Sequence, residues 1–135
     1  MEEAVKQAIV ERYFGKVDAF YLSSVKIEDL MSVFSENVTW TFGDKVFNGC
    51  EALRKVFLDR KKQFLNRKHE LRNIVAIVEG DKASATCELT VTTKHIDGRI
   101  NSVPGYNAFR LRKQNGIWKI TDVQITLQGG DLATL

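Results

Sequence analysis

The sequence predicts an α+β fold in which three N-terminal helices cover the concave face of a curved, cone-shaped and mostly antiparallel sheet. Apolar residues in the first half of the chain recur every three or four positions, as on one face of a helix. In the second half they alternate with polar residues, as in strands that are buried on one side only. The 135 residues include one proline and no linker-like stretch, so one domain is expected over residues 1–135.

The helices are predicted from apolar spacing and from the residues that interrupt it. The first is expected over residues 3–20, where one face carries Val5, Ile9, Tyr13, Val17 and Phe20. Two serines then break the pattern, and a short second helix is expected over residues 27–34. A third helix is expected over residues 51–65, after an asparagine–glycine turn. Its inner face is apolar apart from Arg60, which is out of character there.

The strands are predicted from β-branched composition and from alternation. Residues 38–42 form a first strand, and a meander of four long strands follows, beginning at about residues 69, 82, 100 and 117. Residues 82–95 alternate cleanly, with an inner face of Ala83, Ala85, Cys87, Leu89, Val91, Thr93 and His95. In the last strand the apolar phase changes between Ile120 and Val123. This change predicts a β-bulge near Thr121, which would bend the sheet so that it encloses a cavity.

Composition and charge argue against several classes of protein. Two cysteines without metal-ligand spacing are expected to be reduced thiols. The chain begins with acidic, helix-forming residues and has no apolar run of membrane-spanning length, so a cytoplasmic location without membrane contact is expected. The net charge is +3, and basic residues cluster at 54–55, 60–62 and 67–68. No aromatic residues interleave there, so this stripe is interpreted as a solvated helix face and not as a nucleic-acid site.

Four local strings, taken in order, resemble the SnoaL-like, nuclear transport factor 2-like superfamily. They are EDLMSVFSENVTW at residues 28–40, NGCEAL at 48–53, EGDKA at 79–83 and NGIWKI at 115–120. The resemblance covers nearly the whole chain and implies the cystatin-like cone with one small-molecule pocket. It implies no single activity, because the superfamily contains isomerases, dehydratases, cyclases, epoxide hydrolases and non-catalytic binders.

Polar residues on predicted apolar faces are the candidates for chemistry. His69 opens the first long strand and is expected to share its face with Leu71, Asn73, Val75 and Ile77, whereas His95 closes the next strand. Tyr13 lies centrally on the stripe of the first helix, and Asp18 lies about 140° around an ideal helix from it. That angle turns Asp18 away from the apolar stripe and so favours an exposed carboxylate. Asn107 interrupts an apolar strand face, where a buried amide must find a hydrogen-bond partner.

Each of these residues also has a purely structural interpretation. A histidine at the end of a strand is often hydrogen-bonded at the rim, and this interpretation is favoured for His95. Tyr13 could be a core residue whose hydroxyl is satisfied by a neighbour. The partner of Asn107 could be a ligand or an adjacent side chain. These alternatives stay open on the sequence alone.

The resemblance is closest in pattern to the dehydratase-like branch, which includes scytalone dehydratase-like and bile-acid dehydratase-like enzymes. That branch carries a tyrosine and an aspartate late in the first helix and a histidine that opens the strand after the third. Tyr13, Asp18 and His69 occupy similar places, so the resemblance implies that they are catalytic. His95 and Asn107 are similar to a second histidine and an asparagine of the scytalone dehydratase-like pattern. They are expected to bind the substrate together with Phe109, Trp40 and Val91.

Other branches fit the sequence less well. Ketosteroid isomerase-like proteins place a basic aspartate where this chain has Phe42. The water-activating set of the epoxide hydrolases needs two aspartates and an arginine, which Asp122 and Arg110 do not complete. The sequence shows no metal-ligand spacing, glycine-rich phosphate loop or serine nucleophile elbow. Cofactor-free chemistry is therefore expected.

The leading hypothesis is a cofactor-free lyase or isomerase that acts on a small hydrophobic, cyclic or polyketide-like molecule in a buried pocket. His69 would remove a proton next to a carbonyl, Tyr13 and Asn107 would hydrogen-bond the carbonyl oxygen, and Asp18 would orient His69. His95 could protonate a leaving hydroxyl. The alternative is a non-catalytic module of the same fold for small-molecule binding or dimerisation. A homodimer is expected through a convex sheet face that carries Thr86, Thr90 and Thr92.

Overall fold

The predicted order of helices and strands is present in a computed structural model, which describes residues 2–128. The N-terminal helix is continuous but changes type along its length, with α1 at Glu2–Gln7, a π-helical segment at Ala8–Phe14 and α2 at Gly15–Tyr21. Two further helices are α3, Ile27–Met31, and α4, Cys50–Lys61. The six strands are β1 at Phe34–Phe42, β2 at Lys45–Asn48, β3 at Phe64–Glu79, β4 at Lys82–His95, β5 at Ile100–Gln114 and β6 at Ile117–Leu127.

All six strands belong to one sheet, in the order β2–β1–β6–β5–β4–β3. The pair β1–β6 is parallel, and every other neighbouring pair is antiparallel. Because β2 and β3 remain at opposite edges, the sheet curls without closing into a barrel. Helices α1 and α2 pack on β3, and α4 packs on β1. The predicted α+β fold with helices on a mostly antiparallel sheet is confirmed.

Element boundaries differ from the predictions in three places. Helix α4 ends at Lys61 and β3 already begins at Phe64, so His69 lies inside this strand and does not open it. Strand β1 begins at Phe34, inside the predicted second helix, because its first residue already pairs with Ile120 of β6. Strand β2 was not predicted, since four residues between two turns are too few to show alternation. In the described part of the chain, no helix is long and apolar enough to cross a membrane.

The predicted bulge in β6 is confirmed. Arg110 of β5 pairs with Asp122, whereas the next residue, Leu111, pairs with Ile120, so Thr121 has no partner in the ladder. The extra residue shifts the side-chain phase by one, and both Ile120 and Val123 are therefore buried.

Strand β3 has two bulges against β4, at Leu65 and at Asn73; neither was predicted, and the one at Asn73 corrects the assignment of the strand's faces. Arg72 pairs with Glu88 and Val75 with Thr86, so two residues of β3 oppose a single residue of β4. Asn73 within this bulge has a φ of 52°, in the left-handed region that asparagine tolerates. Beyond it the phase reverses, and Val75 is 55% exposed. The prediction that His69 shares one face with Asn73, Val75 and Ile77 is therefore wrong.

The core lies between the N-terminal helix and the inner face of the sheet. Phe109 at its centre is 2% exposed and meets the rings of Tyr13 and Phe14 at centroid distances of 5.4 and 5.9 Å. Both contacts are edge-to-face, the arrangement that the ring quadrupoles favour. This cluster fixes the helix against β5 and thereby sets the position of Tyr13.

The fold makes a clear prediction for Gly105, which lies in β5 between β4 and β6. A methyl group there would lie 2.9 Å from the backbone oxygen of Thr126 and against the side chain of Leu127. We expect Gly105→Ala to lower the free energy of unfolding by about 1–3 kcal/mol, because the core is overpacked. Urea denaturation measures this change.

Gly15→Ala is the matched control. A methyl group at this helical glycine would lie 3.6 Å from the Val10 oxygen, an ordinary contact. The same substitution should therefore be neutral or stabilise the protein by up to about 1 kcal/mol. Equal unfolding free energies for Gly105→Ala and the wild type would contradict the close approach in β5.

Candidate active site

A small cavity lies between the N-terminal helix, α4 and the sheet. Its volume is about 30 Å³, enough for one water-sized group, so a larger ligand requires side chains to move. Its lining is largely aromatic and apolar, and the polar side chains within it are Tyr13, Tyr21, Arg60, Arg67, His69 and Asn107. A larger open groove of about 870 Å³ lies elsewhere, on the outer face around Arg110 and Asp122. That groove contains no histidine, and its width alone does not make it a reaction site.

His69 and Asp18 form a hydrogen-bonded pair that joins β3 to α2. The His69 Nδ1 atom lies 2.6 Å from Asp18 Oδ1, and the backbone N–H of His69 donates to Asp18 Oδ2 at 3.1 Å. The two side chains are 10% and 24% exposed. Because a carboxylate only accepts hydrogen bonds, the ring proton sits on Nδ1, which leaves the lone pair on Nε2.

The expectation that Asp18 is an exposed carboxylate is wrong. That expectation assumed an uninterrupted α-helix. Tyr13 instead lies in a π-helical segment, whose last hydrogen bond runs from the Gly15 N–H to the Val10 oxygen, five residues earlier. In that segment hydrogen bonds span five residues, so each residue rotates less about the axis than in an α-helix. Asp18 consequently lies close enough to the apolar face of the helix to reach His69.

The environment of His69 keeps its imidazole neutral at pH 7. Burial lowers the pKa of His69, because a charged ring loses hydration there. The hydrogen bond to Asp18 opposes this effect without overcoming it. The ring of Phe14, at a centroid distance of 4.9 Å, covers the imidazole. The pair therefore supplies a neutral base with a fixed orientation.

Tyr13 and Trp40 both line the cavity and are linked by a hydrogen bond. The indole N–H of Trp40 donates to the Tyr13 hydroxyl oxygen at 3.4 Å. Burial raises the pKa of Tyr13 above its ordinary value, so the phenol keeps its proton at physiological pH. Since the oxygen accepts from Trp40, the hydroxyl proton can be donated to another acceptor.

Asn107 presents a buried acceptor to the cavity. It is 2% exposed, and within residues 2–128 its Oδ1 atom has no hydrogen-bond partner. Leaving such an atom unsatisfied costs about 1–3 kcal/mol. The amide therefore suits a ligand with a hydroxyl or N–H group at this point.

Of the other predicted site residues, one lines the cavity and three do not. Trp40 lines the cavity, whereas Phe109 and Val91 are buried and are not part of its lining. His95 is buried at the end of β4, where its Nε2 atom lies 3.1 Å from the Asn101 amide nitrogen. Its ring packs edge-to-face on that of Phe64, outside the cavity lining. The structure thus brings together Tyr13, Asp18, His69, Asn107 and Trp40, but not His95.

Two arginines in the cavity lining were missed by the sequence analysis. Arg60 and Arg67 are 7% and 6% exposed, so the interpretation of the basic stripe as a solvated face is wrong at these positions. Two signals pointed to them. Arg60 falls on the apolar face of α4, and Arg67 precedes His69 by two residues, which places both on the same side of β3.

Solved structures with this fold include proteins described as enzymes. A proposed aromatic ring hydroxylase from Novosphingobium aromaticivorans superposes with a TM-score of 0.84 at 22% identity, covering 96% of this chain and 90% of that one. A proposed scytalone dehydratase from the same organism gives 0.81 at 17%, covering 93% and 83%. A proposed dehydratase of the NTF2-like family from Streptomyces avermitilis gives 0.81 at 15%, covering 96% of both chains. At these identities the likeness shows the fold alone.

Sequence comparison gives the family directly. Among curated proteins no sequence matches the chain significantly. The family model of the SnoaL-like domain, in contrast, matches residues 2–124, which is nearly the whole of the described structure. This protein therefore belongs to the SnoaL-like domain family.

Proposed function

We propose that the protein is a lyase or isomerase, dehydratase-like in mechanism, that acts without a cofactor on a small hydrophobic cyclic molecule. The observation that carries the proposal is the buried His69–Asp18 pair at a cavity that also contains Tyr13 and Asn107. Two of the similar structures are described as proposed dehydratases, which is in keeping with this chemistry.

His69 acts as the general base. Its Nε2 lone pair takes a proton from the carbon next to a substrate carbonyl, and Asp18 stabilises the imidazolium that forms. Asp18 also holds the backbone of β3 at the same residue, which limits rotation of the ring. The base is neutral before the reaction, as proton removal requires.

Tyr13 and Asn107 stabilise the enolate. The phenol of Tyr13 and the amide of Asn107 both line the cavity, whose walls are mostly aromatic and apolar, and hydrogen bonds to a developing negative charge are strong in such surroundings. Tyr13 keeps its proton for this purpose because burial raises its pKa. The amide oxygen of Asn107 can at the same time accept a hydrogen bond from a substrate hydroxyl.

The proton on His69 then determines the outcome. Delivered to a hydroxyl on the β-carbon, it releases water as the carbon–oxygen bond breaks and a double bond forms. Delivered to another carbon of the enolate, it gives an isomer. Either course returns His69 to its neutral form, so no second acid and no role for His95 are required.

The alternative, a non-catalytic binding module, is favoured by one observation. The cavity is small, and Phe42 and Phe57 contribute to its lining. A tight aromatic cavity can bind a ligand without reacting with it. Because the alternative needs no base, the substitutions described below separate the two functions.

We also propose a homodimer through the outer face of the sheet. Thr86, Thr90 and Thr92 of β4 lie on this face and are partly exposed. Tyr106 of the neighbouring β5, opposite Glu88, is 47% exposed. Short hydroxyl side chains beside an exposed aromatic ring can pack against a second copy without charge repulsion.

Sedimentation velocity at micromolar concentration tests the dimer. The wild type should sediment as a dimer, and Thr90→Lys should sediment as a monomer, because two like charges would meet at the interface. Ser24→Lys, in the exposed turn after α2, adds the same charge away from the sheet and should remain dimeric. A monomeric wild type would exclude this interface.

Proton abstraction can be tested before the natural substrate is known. In D₂O, the protein should accelerate exchange of the α-protons of 2-tetralone, followed by proton NMR. His69→Gln should lower the accelerated rate by about 10²–10⁴-fold, because the general base is lost. Glu70→Gln, on the exposed side of the same strand, should exchange at the wild-type rate. Full exchange activity in His69→Gln would remove His69 from the mechanism and leave the binding module as the better function.

The pH dependence tests the partnership with Asp18. Only neutral His69 is active, and burial lowers its pKa, so the rate should be flat down to about pH 6.5 and fall only below it. Asp18→Asn removes the charge that favours the protonated ring, so this limb should move to lower pH. Its plateau should also fall by about 10²–10⁴-fold, because an amide can stabilise the wrong tautomer. An unchanged profile in Asp18→Asn would show that the pair serves folding alone.

A further inference from the structure

Tyr21, the last residue of α2, is a second buried tyrosine in the cavity lining, and the mechanism described above does not use it. Its side chain is almost fully enclosed, at 4% exposure. Its ring packs edge-to-face on that of Phe64 at a centroid distance of 5.4 Å and contacts the rings of Phe20 and Phe57 at 5.5 and 6.3 Å. These contacts fix the direction of the phenol, as recognition of a substrate atom requires.

The hydroxyl group of Tyr21 is oriented by Arg60 of α4. The guanidinium hydrogen-bonds the phenol, and because arginine has only donors, the oxygen of Tyr21 accepts in this bond. The proton of the hydroxyl can then be donated to a ligand. Burial raises the pKa of Tyr21, although Arg60 and Arg67 oppose this effect, so the phenol keeps its proton at pH 7. A cationic donor also polarises the phenol, which makes its O–H group a stronger donor.

Tyr13 and Tyr21 lie on the two sides of the proposed base. Tyr21 follows Val17 by one helical turn, and both line the cavity. Asp18, which holds His69, lies between Tyr13 and Tyr21 along the helix. The two tyrosines are about two turns apart, and side chains on one face of a helix point in the same direction. Their hydroxyl groups therefore reach different parts of the cavity and can bind different atoms of one ligand.

The amide of Asn107 supplies the acceptor that such a ligand also needs. Its Oδ1 atom has no hydrogen-bond partner within residues 2–128, so neither Tyr13 nor Tyr21 donates to it. The lining therefore combines two phenol donors and one unsatisfied acceptor with a base. A substrate hydroxyl can accept from a phenol and donate to the amide at the same time, because it has both a proton and lone pairs.

We propose that Tyr21 hydrogen-bonds the hydroxyl oxygen on the β-carbon of the substrate and thereby selects dehydration over isomerisation. Tyr13 binds the carbonyl oxygen on one side of the α-carbon, and Tyr21 binds the hydroxyl on the other. His69 lies at the level of the carbon between them. The inference rests on the active site proposed above and adds to it a residue that determines specificity.

The hydrogen bond from Tyr21 strengthens as the hydroxyl leaves. After His69 has removed the α-proton, the electron pair of that C–H bond forms the carbon–carbon double bond while the bond between the β-carbon and oxygen breaks. The departing oxygen takes the proton from Nε2 of His69 and leaves as water, and Tyr21 keeps its own proton throughout. The O–H group of Tyr21 stabilises the negative charge that develops on this oxygen. Without that contact, the enolate is more often reprotonated on carbon.

Cyclohexanone and 3-hydroxycyclohexanone are suitable probes because they differ only in the β-hydroxyl. In D₂O, proton NMR follows α-proton exchange of the first and formation of cyclohexenone from the second, and the wild type should catalyse both reactions. Tyr21→Phe keeps the ring and removes the hydroxyl. It should lower the dehydration rate by about tenfold to a hundredfold, as expected for the loss of one hydrogen bond to a charged group. Its rate of cyclohexanone exchange should equal that of the wild type.

Tyr13→Phe is the matched comparison, because it makes the same chemical change on the other side of the base. It should lower both rates together, since formation of the enolate precedes both reactions. A purely structural role of Tyr21 would also lower both rates together. The difference between the two probes therefore separates recognition of the hydroxyl from an effect on folding.

Three results would overturn the inference and leave the proposed function intact. They are dehydration by Tyr21→Phe at the wild-type rate, an equal loss of both reactions in Tyr21→Phe, and a wild type that exchanges cyclohexanone but does not dehydrate 3-hydroxycyclohexanone. The last comparison needs no variant, so it stands even if Tyr21→Phe fails to fold. A wild type that reacts with neither ketone would instead contradict the proposed function, and the inference together with it.

Discussion

The contact between Asp18 and His69 determines how the N-terminal helix relates to the sheet. One carboxylate accepts hydrogen bonds from both the backbone and the ring of a single residue, so it fixes a strand and a side chain together. The aromatic cluster around Phe109 holds the same helix against β5. The cavity is lined by His69 from the first contact and by Tyr13 from the second. Its shape therefore depends on the helix keeping its axial rotation, which the π-helical segment sets.

The cavity combines features that oppose folding with features that favour chemistry. Its walls are aromatic, yet they enclose two arginines, a neutral imidazole and an amide oxygen without a described partner. Each of these groups has a lower free energy in water than in an apolar interior. The large apolar core between helix and sheet offsets their cost, which is how a domain of this size can hold so many polar groups inside.

Periodicity predicted the fold well, because alternation over 14 residues in β4 leaves little choice of face. It also located the bulge in β6, where apolar residues on both sides show the change of phase. The bulge at Asn73 in β3 was not predicted, because Val75 and Ile77 are apolar although exposed and the apolar alternation therefore looked continuous. Asp18 and Arg67 were misjudged for different reasons. One depends on helix type, which spacing does not reveal, and the other is a charged residue in a basic stripe, where burial is unexpected.

The bulge at Asn73 also divides β3 into two independent halves. The half that carries Arg67 and His69 faces the cavity, whereas the half beyond the bulge presents Val75 and Ile77 to the outside. The extra residue separates the inward–outward alternation of side chains in the two halves. The hairpin between β3 and β4 can therefore vary in length or sequence without rotating the side chains that line the cavity. The distal hairpin is therefore a place where related proteins can diverge in surface contacts while the reacting groups keep their geometry.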